Sequence, residues 1–272
     1  MNMQVRFPSQ QASILRSVEL DTPQQSPTLR CVNSGPKPLC KHCALRKICL
    51  AKSVDEDSLE ALSTIKKHPK PMQKGQHFYR QDDALESVYI LRSGAVKTYY
   101  IDDRGEEHIT GICLPGELFG SDGIGRGRHR YSAIALDTSA ICEFPYKSLE
   151  QSFQSHPDIQ RRVMEMLCSE IYDRQEPLLS LRKIPAEERL ATFLTDISSR
   201  LKLRGLSPTE FSLPMSRRDI ARYLGVAEET MSRLFTRFQN WKLLAATGRS
   251  VSISDLPALQ DMSMTRSKTS DL

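Results

Sequence analysis

The sequence predicts an α+β fold in three successive parts: a small antiparallel β-roll, one long helix, and a C-terminal helical unit closed by a β-hairpin. Three observations carry this. Short alternating runs broken by glycines fill 70–146. Apolar residues at helical spacing run through 157–182. Two short helix patterns separated by a glycine precede a β-forming pair of runs in 211–254. Alternation of period two marks strands, and returns at three and four residues mark helices.

Composition sets the frame. The chain has 272 residues, 39% hydrophobic and 26% charged, which is ordinary for a globular protein. No apolar run approaches the ~20 residues needed to cross a bilayer, so no membrane span is expected. The opening MNMQVRFPSQQASILRSVEL lacks the apolar core and cleavage site of a secretory signal, so a cytoplasmic location is expected. Seven cysteines, three of them clustered, point to metal or redox chemistry rather than a disulfide framework. Net charge is +5, unevenly spread. Residues 182–249 hold 13 Lys and Arg against 7 Asp and Glu, a net +6; the remainder, 25 against 26, stands at −1. A basic segment set on a near-neutral body is the electrostatic footprint of nucleic-acid binding, although a solvated basic face has the same composition.

In order along the chain, residues 1–39 are rich in Gln, Ser and Pro and read as a mobile tail. Cys40, Cys43 and Cys49 follow in one short stretch. Three thiolates at this spacing suit an iron–sulfur cluster, a structural zinc or a disulfide, and spacing alone does not choose. Leu59, Leu62 and Ile65 predict a short helix over 55–68. The strand region includes Val88–Leu91 and Ala95–Ile101, separated by Ser93-Gly94 and followed by the turn Asp102–Gly105. The cysteine stretch and the roll are expected to form one domain over 40–156. Met164, Leu167, Ile171 and Leu178 make a coiled-coil-like seam on the helix 157–182. Pro177 removes a helical hydrogen bond, so a bend or end is expected near Glu176. The next domain spans 183–254, starting with a helix from Pro185 to about Leu203, and 255–272 reads as a polar tail.

The unit 211–254 is the most specific. Ser216 and Asp219 form a capping-box-like start. Ile220, Ala221 and Leu224 make an apolar face, and Gly225 supplies a sharp turn. The second helix, about Glu228 to Trp241, buries Met231, Leu234, Phe235 and Phe238. This is helix–turn–helix spacing. Its opposite face gathers Glu229, Ser232 and Arg233 near the helix N-terminus, the end that enters a major groove. Glutamate accepts from cytosine N4, arginine forks onto guanine, and serine serves either. An exposed Glu229–Arg233 ion pair is the plainer alternative. Leu243–Ala246 and Val251–Ile253 make a hairpin wing, and Arg217, Arg218, Arg222, Arg237 and Arg249 are candidate phosphate contacts. No nucleophile–base pair, catalytic carboxylate pair or phosphate loop is present, and the six histidines are scattered, so an enzyme is not expected.

The stretches CKHCALRKIC (40–49), LRSGAVKTYYIDDRGEEHITG (91–111), LPGELFG (114–120), ALDTSAICEFP (135–145), PAEERLATFL (185–194) and FSLPMSRRDIARYLGVAEETMSRLFTRF (211–238) together resemble the FNR branch of the CRP/FNR family of bacterial transcription regulators. The resemblance covers roughly 40–254. It implies a roll of the cyclic-nucleotide-binding kind, a dimerisation helix and a winged helix–turn–helix. It implies a homodimer on a near-palindromic duplex of the TTGAT…ATCAA type, read by Glu229, Ser232 and Arg233. It implies RNA polymerase contacts through Asp102–Glu107 and Asp137–Ser139. It also implies an oxygen-labile 4Fe-4S cluster held by Cys40, Cys43, Cys49 and, in SAICEFP, Cys142, whose loss weakens the dimer. Cys113 and Cys31 are the rival fourth ligands.

Two residues depart from the family pattern. Arg174 falls on the seam between Ile171 and Leu178, where like charges from two copies would meet unless an acid such as Asp173 pairs with them or Arg174 snorkels outward. Pro177 is the other. Two further readings of the same fold are a zinc-stapled DNA-binding protein and a cyclic-nucleotide-controlled regulator. The second would need an Arg-Ser pair soon after the GEL motif, but Tyr131 separates Arg130 from Ser132 here.

Overall fold

The computed structural model describes residues 40–180 and 184–263, and of 172–180 the backbone alone. The expected tail over 1–39 with Cys31, the side chains of Asp173, Arg174, Pro177 and Leu178, and residues 264–272 lie outside that description.

Residues 40–53 form a loop of turns. It leads into helix α1 (Glu56–Ile65), capped by Asp55, whose carboxylate accepts from Ser58 N at 2.8 Å. Leu59 and Leu62 are its buried face. The roll follows: β1 (His77–Tyr79), β2 (Ser87–Ser93), β3 (Val96–Ile101), β4 (Glu107–Cys113), β5 (Leu118–Phe119), β6 (Ser132–Ala135) and β7 (Ala140–Pro145). Two antiparallel sheets form, ordered β1-β6-β3-β4 and β5-β2-β7. Ile90 on β2 lies opposite Cys142 on β7. Apolar residues from both sheets, including Tyr79, Leu91, Val96, Cys113, Phe119 and Ile141, fill the interior.

Helices α2 (Tyr146–Ser155) and α3 (Pro157–Ser180) come next. The helix continues through Pro177 as far as Ser180, the last residue described before 184, so the expected end near Glu176 is corrected. Helix α4 (Ala186–Leu203), β8 (Glu210–Ser212), α5 (Arg217–Tyr223), α6 (Glu228–Asn240), β9 (Leu244–Thr247) and β10 (Ser250–Ile253) build the C-terminal unit. Its sheet, ordered β8-β10-β9, contains the expected hairpin. The reading of 255–272 as a polar tail is also corrected. Leu256–Met262 forms helix α7, capped by Asp255, with Leu259 fully buried. Polar neighbours hid a short apolar repeat, and contact with α4 stabilises a helix too short to persist alone.

The roll and the C-terminal unit share one core. Tyr99, Ile109, Ile112 and Leu114 of the roll belong to the same apolar cluster as Leu190, Leu194 and Phe235. A charged clamp crosses this junction. Arg200 Nη2 lies 2.5 Å from Glu117 Oε2, and Arg204 Nη2 lies 2.6 Å from Glu117 Oε1. Arg200 also donates to Ile112 O at 2.8 Å and Arg204 to Pro115 O at 2.7 Å. A second ion group joins Lys97 to Glu107 at 2.9 Å and to Asp219 at 3.1 Å.

Burial alone would raise the Glu117 pKa, but Arg200 and then Arg204 outweigh it and hold the carboxyl below its usual range. Its contribution is therefore full above the ordinary glutamate pKa of about 4.3 and is lost as pH falls through the lower folded-state value. Glu117→Gln should lower the unfolding free energy at neutral pH by about 3 kcal/mol, because two arginines lose their counter-ion. The gap to wild type should narrow in urea melts at acid pH. A gap that ignores pH would show that the carboxylate charge is not what acts.

Candidate metal centre and nucleic-acid interface

The loop 40–53 folds because its own backbone closes it. Arg46 N donates to Cys43 O at 3.0 Å, Cys49 N to Leu45 O at 3.0 Å, and Lys52 N to Cys49 O at 3.0 Å. Leu45, Leu50, Ala51 and Val54 bury its apolar side in a cluster with Leu62, Ile90, Phe144, Ile159 and Val163. This packing brings Cys40, Cys43, Cys49 and Cys142 to the wall of one pocket, which Lys66 and Arg92 also line. Lys66 Nζ lies 3.2 Å from Cys40 Sγ. Cys113, the rival fourth ligand, sits instead in the roll interior beside Tyr79 and Phe119.

Burial governs the thiols. Desolvation pushes the Cys49 pKa up to about 11 and that of Cys142 up to about 12. Lys66 and Arg92 act the other way on Cys142. Without a bound cation the two thiols are protonated at neutral pH, and ligation would release protons. Among the described residues, the one trio of His, Cys, Asp or Glu ligand atoms within 4.8 Å of each other is Asp102, Glu106 and His108. No three of the four sulfurs therefore lie mutually within 4.8 Å. Four thiolates on one zinc at about 2.3 Å would approach to about 3.8 Å.

The Asp102 turn needs no ion to explain it. Its carboxylate accepts from Arg104 N and Glu106 N, both at 2.9 Å, and pairs with His108 at 2.8 Å. These contacts hold Asp102 below the usual carboxylate range, the His108 hydrogen bond most.

In the C-terminal unit, Ser216 caps α5 by accepting from Asp219 N at 3.1 Å. Gly225 turns the chain with a φ of +63°, which an L side chain adopts only at a cost. Arg189 Nη1 donates to Leu224 O at 2.5 Å and closes the end of α5. Met231, Leu234, Phe235 and Phe238 are the buried stripe of α6, as expected. Glu229, Ser232 and Arg233 share its exposed face, and Arg233 Nη2 lies 2.6 Å from Glu229 Oε1. The remaining arginines divide. Arg218 is exposed, 3.9 Å from Glu228. Arg217 lies over the Phe235 ring at 4.0 Å. Arg237 pairs with Glu187 and lies near Trp241. Arg222 pairs with Glu107 of the roll at 3.3 Å. Arg249 is committed to the fold, donating to Leu213 O at 2.7 Å and Pro214 O at 3.0 Å.

On α3, Met164 is 54% and Ile171 55% exposed, while Leu167 is partly buried. The expected seam residues thus leave apolar surface open. Sequence reasoning missed Lys66, Arg92, Arg162 and Glu117, because each acts through a partner far away in the chain.

A β-roll joined by a long helix to a winged helix–turn–helix defines a DNA-binding transcription regulator, not an enzyme. Residues 69–156 match the cyclic nucleotide-binding domain model, and 188–262 match the Crp-like helix-turn-helix domain. The chain is 45% identical to the transcriptional activator protein Anr of Pseudomonas protegens over 79% of its length and 88% of that protein. It is 41% identical to the fumarate and nitrate reduction regulatory protein of Escherichia coli K12, over 82% of this chain and 89% of that one. FixK2 of Bradyrhizobium japonicum superposes with a TM-score of 0.66 at 29% identity, covering 73% of this chain and 98% of that one. The chain belongs to the FNR branch of the CRP/FNR family. No helix among the described residues is long and apolar enough to cross a membrane.

Arg233→Ala should weaken binding to the specific duplex by about 1–3 kcal/mol and relax base preference at one position, with dimerisation unchanged. Gel-shift titration against a panel of single-base variants measures this. Unaltered specificity would show that the recognition face lies elsewhere.

Proposed function

We propose that this protein is an oxygen- or redox-responsive regulator that binds a near-palindromic duplex as a homodimer and carries a 4Fe-4S cluster on Cys40, Cys43, Cys49 and Cys142. The observation that carries this reading is the single pocket lined by those four sulfurs and by two basic side chains, Lys66 and Arg92. The donor set fits the group. Four cysteines are the usual ligands of such clusters, and the two cations offset the negative charge of a four-thiolate site.

When bound, the cluster supplies reactivity toward oxygen. The protein does the rest. Cys142 anchors the site to the roll, while Cys40, Cys43 and Cys49 tie the loop to that anchor. Met164, Leu167 and Ile171, continued by Arg174 and Leu178, form the seam on which two copies pair. Pairing sets two recognition helices on two half-sites at once, and bivalence multiplies affinity. Glu229, Ser232 and Arg233 read the bases, while Arg217, Arg218 and Arg237 meet phosphates once their internal partners give way. The exposed turn Asp102–Glu107 and the segment Asp137–Ser139 offer RNA polymerase its contact.

A nucleotide-responsive role has weaker support. Asp122 Oδ2 accepts from Arg130 N at 2.7 Å and from Tyr131 N at 3.0 Å, so a built-in carboxylate takes amides that an anionic ligand would want. His129 stacks on Tyr79 with ring centroids 3.7 Å apart, within an interior that Phe119 also fills.

Protein purified without air should be brown and hold iron and acid-labile sulfide in equal amounts, with no zinc. Cys142→Ser should lose the chromophore and Cys113→Ser should keep it. Colourless, iron-free protein that still binds its palindrome as a dimer would overturn the reading.

A further inference from the structure

The dipeptide Ile48-Cys49 ends the cysteine loop, and one side chain of the dimer helix grips both of its carbonyls. Arg162 Nε donates to Cys49 O at 3.2 Å, and Nη2 donates to Ile48 O at 3.3 Å. Nη1 donates to Glu165 Oε2 at 3.0 Å, so one guanidinium spans loop and helix. The Arg162 side chain is largely buried, and its neighbours Ile159 and Val163 share an apolar cluster with Cys40, Cys49 and Cys142. Cys49 O also accepts from Lys52 N, so both of its lone pairs are engaged.

A guanidinium is a rigid planar fork. It holds two successive carbonyls only while the backbone between them keeps one conformation. Met164 and Ile171 follow on the same helix and present the exposed seam. A change in the backbone at residues 48–49 therefore breaks the fork and frees the segment of α3 from which the seam projects. A second tie is independent of the loop. Asp158 accepts from Ser58 Oγ at 2.5 Å and from Asp55 N at 3.0 Å, joining α3 to α1 and its cap. Removing Arg162 thus leaves the N-terminal end of α3 tied to α1, while the segment that bears the seam loses its link to the loop.

We propose that Arg162 is the positioning residue that passes the conformation of the cysteine loop to the dimer helix. This rests on the cluster reading above, because it assumes that the loop changes when its cysteines lose their ligand. A transmitter differs measurably from a mere staple. A staple supports α3 equally in both conditions, whereas a transmitter sets the ratio between them, and that ratio is the coupling.

The test uses the full chain as wild type, Arg162→Gln and Arg162→Lys. The dimer dissociation constant is measured by analytical ultracentrifugation without air and again after air exposure. In Arg162→Gln the air-induced change should shrink at least ~5-fold, at the low end of ordinary coupling factors, with the anaerobic absorbance per chain unchanged. Arg162→Lys, whose single ammonium lacks the planar fork, should fall between. An air-induced change of wild-type size in Arg162→Gln, or equal weakening in both conditions, overturns the proposal. A structural readout separates this from the cluster reading. Hydrogen exchange followed as the metal is removed should rise together in wild type in residues 45–52 and around residue 162 of α3, whereas in Arg162→Gln the metal-dependent rise should stay in the loop; a joint rise of wild-type size in Arg162→Gln overturns the proposal. A colourless wild type fails the cluster reading instead, and does so in the spectrum alone.

Discussion

The N-terminal half depends on burying the loop 40–53 against β7. That loop is closed by its own backbone hydrogen bonds, with a 3-10 turn at Cys40–His42, and is held in place by what covers its apolar side. Leu45, Leu50 and Val54 supply the apolar contact, and Leu62, Ile90, Phe144 and Ile159 receive it. The same burial that orders the loop removes its thiols from water and raises the pKa of Cys49 and Cys142. Neutral buried thiols behave as small hydrophobes and are tolerated. Four thiolates would not be without a cation to balance them, and Lys66 and Arg92 offset only part of that charge. Cys49 and Cys142 are therefore protonated without a ligand, and ligation at either would release a proton.

The loop also touches the route to the DNA-binding unit. Gly116 has a φ of +94°, and a Cβ there would come within 2.7 Å of Ile48 Cδ1. The chain needs glycine at that point both for the turn and for the close approach. The next residue, Glu117, binds Arg200 and Arg204 on α4. Partly buried ion pairs add modestly to net stability, but breaking one is expensive. The clamp thus fixes how α4 sits on the roll more than how strongly. Lys97 repeats the arrangement further along the junction, bridging Glu107 of β4 and Asp219 of α5. Arg222, also on α5, pairs with Glu107. The first helix of the helix–turn–helix is consequently docked on the roll through charges that duplex phosphates would compete for.

The sequence carried the elements whose cause is local. The stripe of Met231, Leu234, Phe235 and Phe238, the glycine turn at 225, and the alternation through Val88–Leu91 all follow from backbone period and turn chemistry, and each stands where it was expected. The meeting of Cys142 with the loop was not readable from spacing, because a strand residue and a distant turn share no periodicity; only the family resemblance pointed to it. Helix α7 was hidden for a related reason. Its stability comes from α4 rather than from its own composition. Arg249 shows the converse error. A basic residue at the hairpin turn looks like a phosphate contact, yet the carbonyls of Leu213 and Pro214 take its guanidinium. Charge can be counted in a sequence, but whether a charge is free depends on which acceptors the fold has left open.

Two outputs leave the cysteine loop from one dipeptide, and they leave by different chemistry. The Ile48 side chain bears on Gly116 by van der Waals contact, whereas the carbonyls of Ile48 and Cys49 bear on Arg162 by directional hydrogen bonds. The first is a steric contact that tolerates small rotations of the peptide and fails when the side chain withdraws. The second fails when the peptide plane turns, even if the side chain stays put. A modest rotation of the 48–49 peptide would therefore break the Arg162 fork before it disturbed the roll-to-α4 junction. Dimer pairing would respond first, and the docking of the DNA-binding unit would follow only from a larger displacement. The order comes from the angular dependence of a hydrogen bond against the softness of an apolar contact.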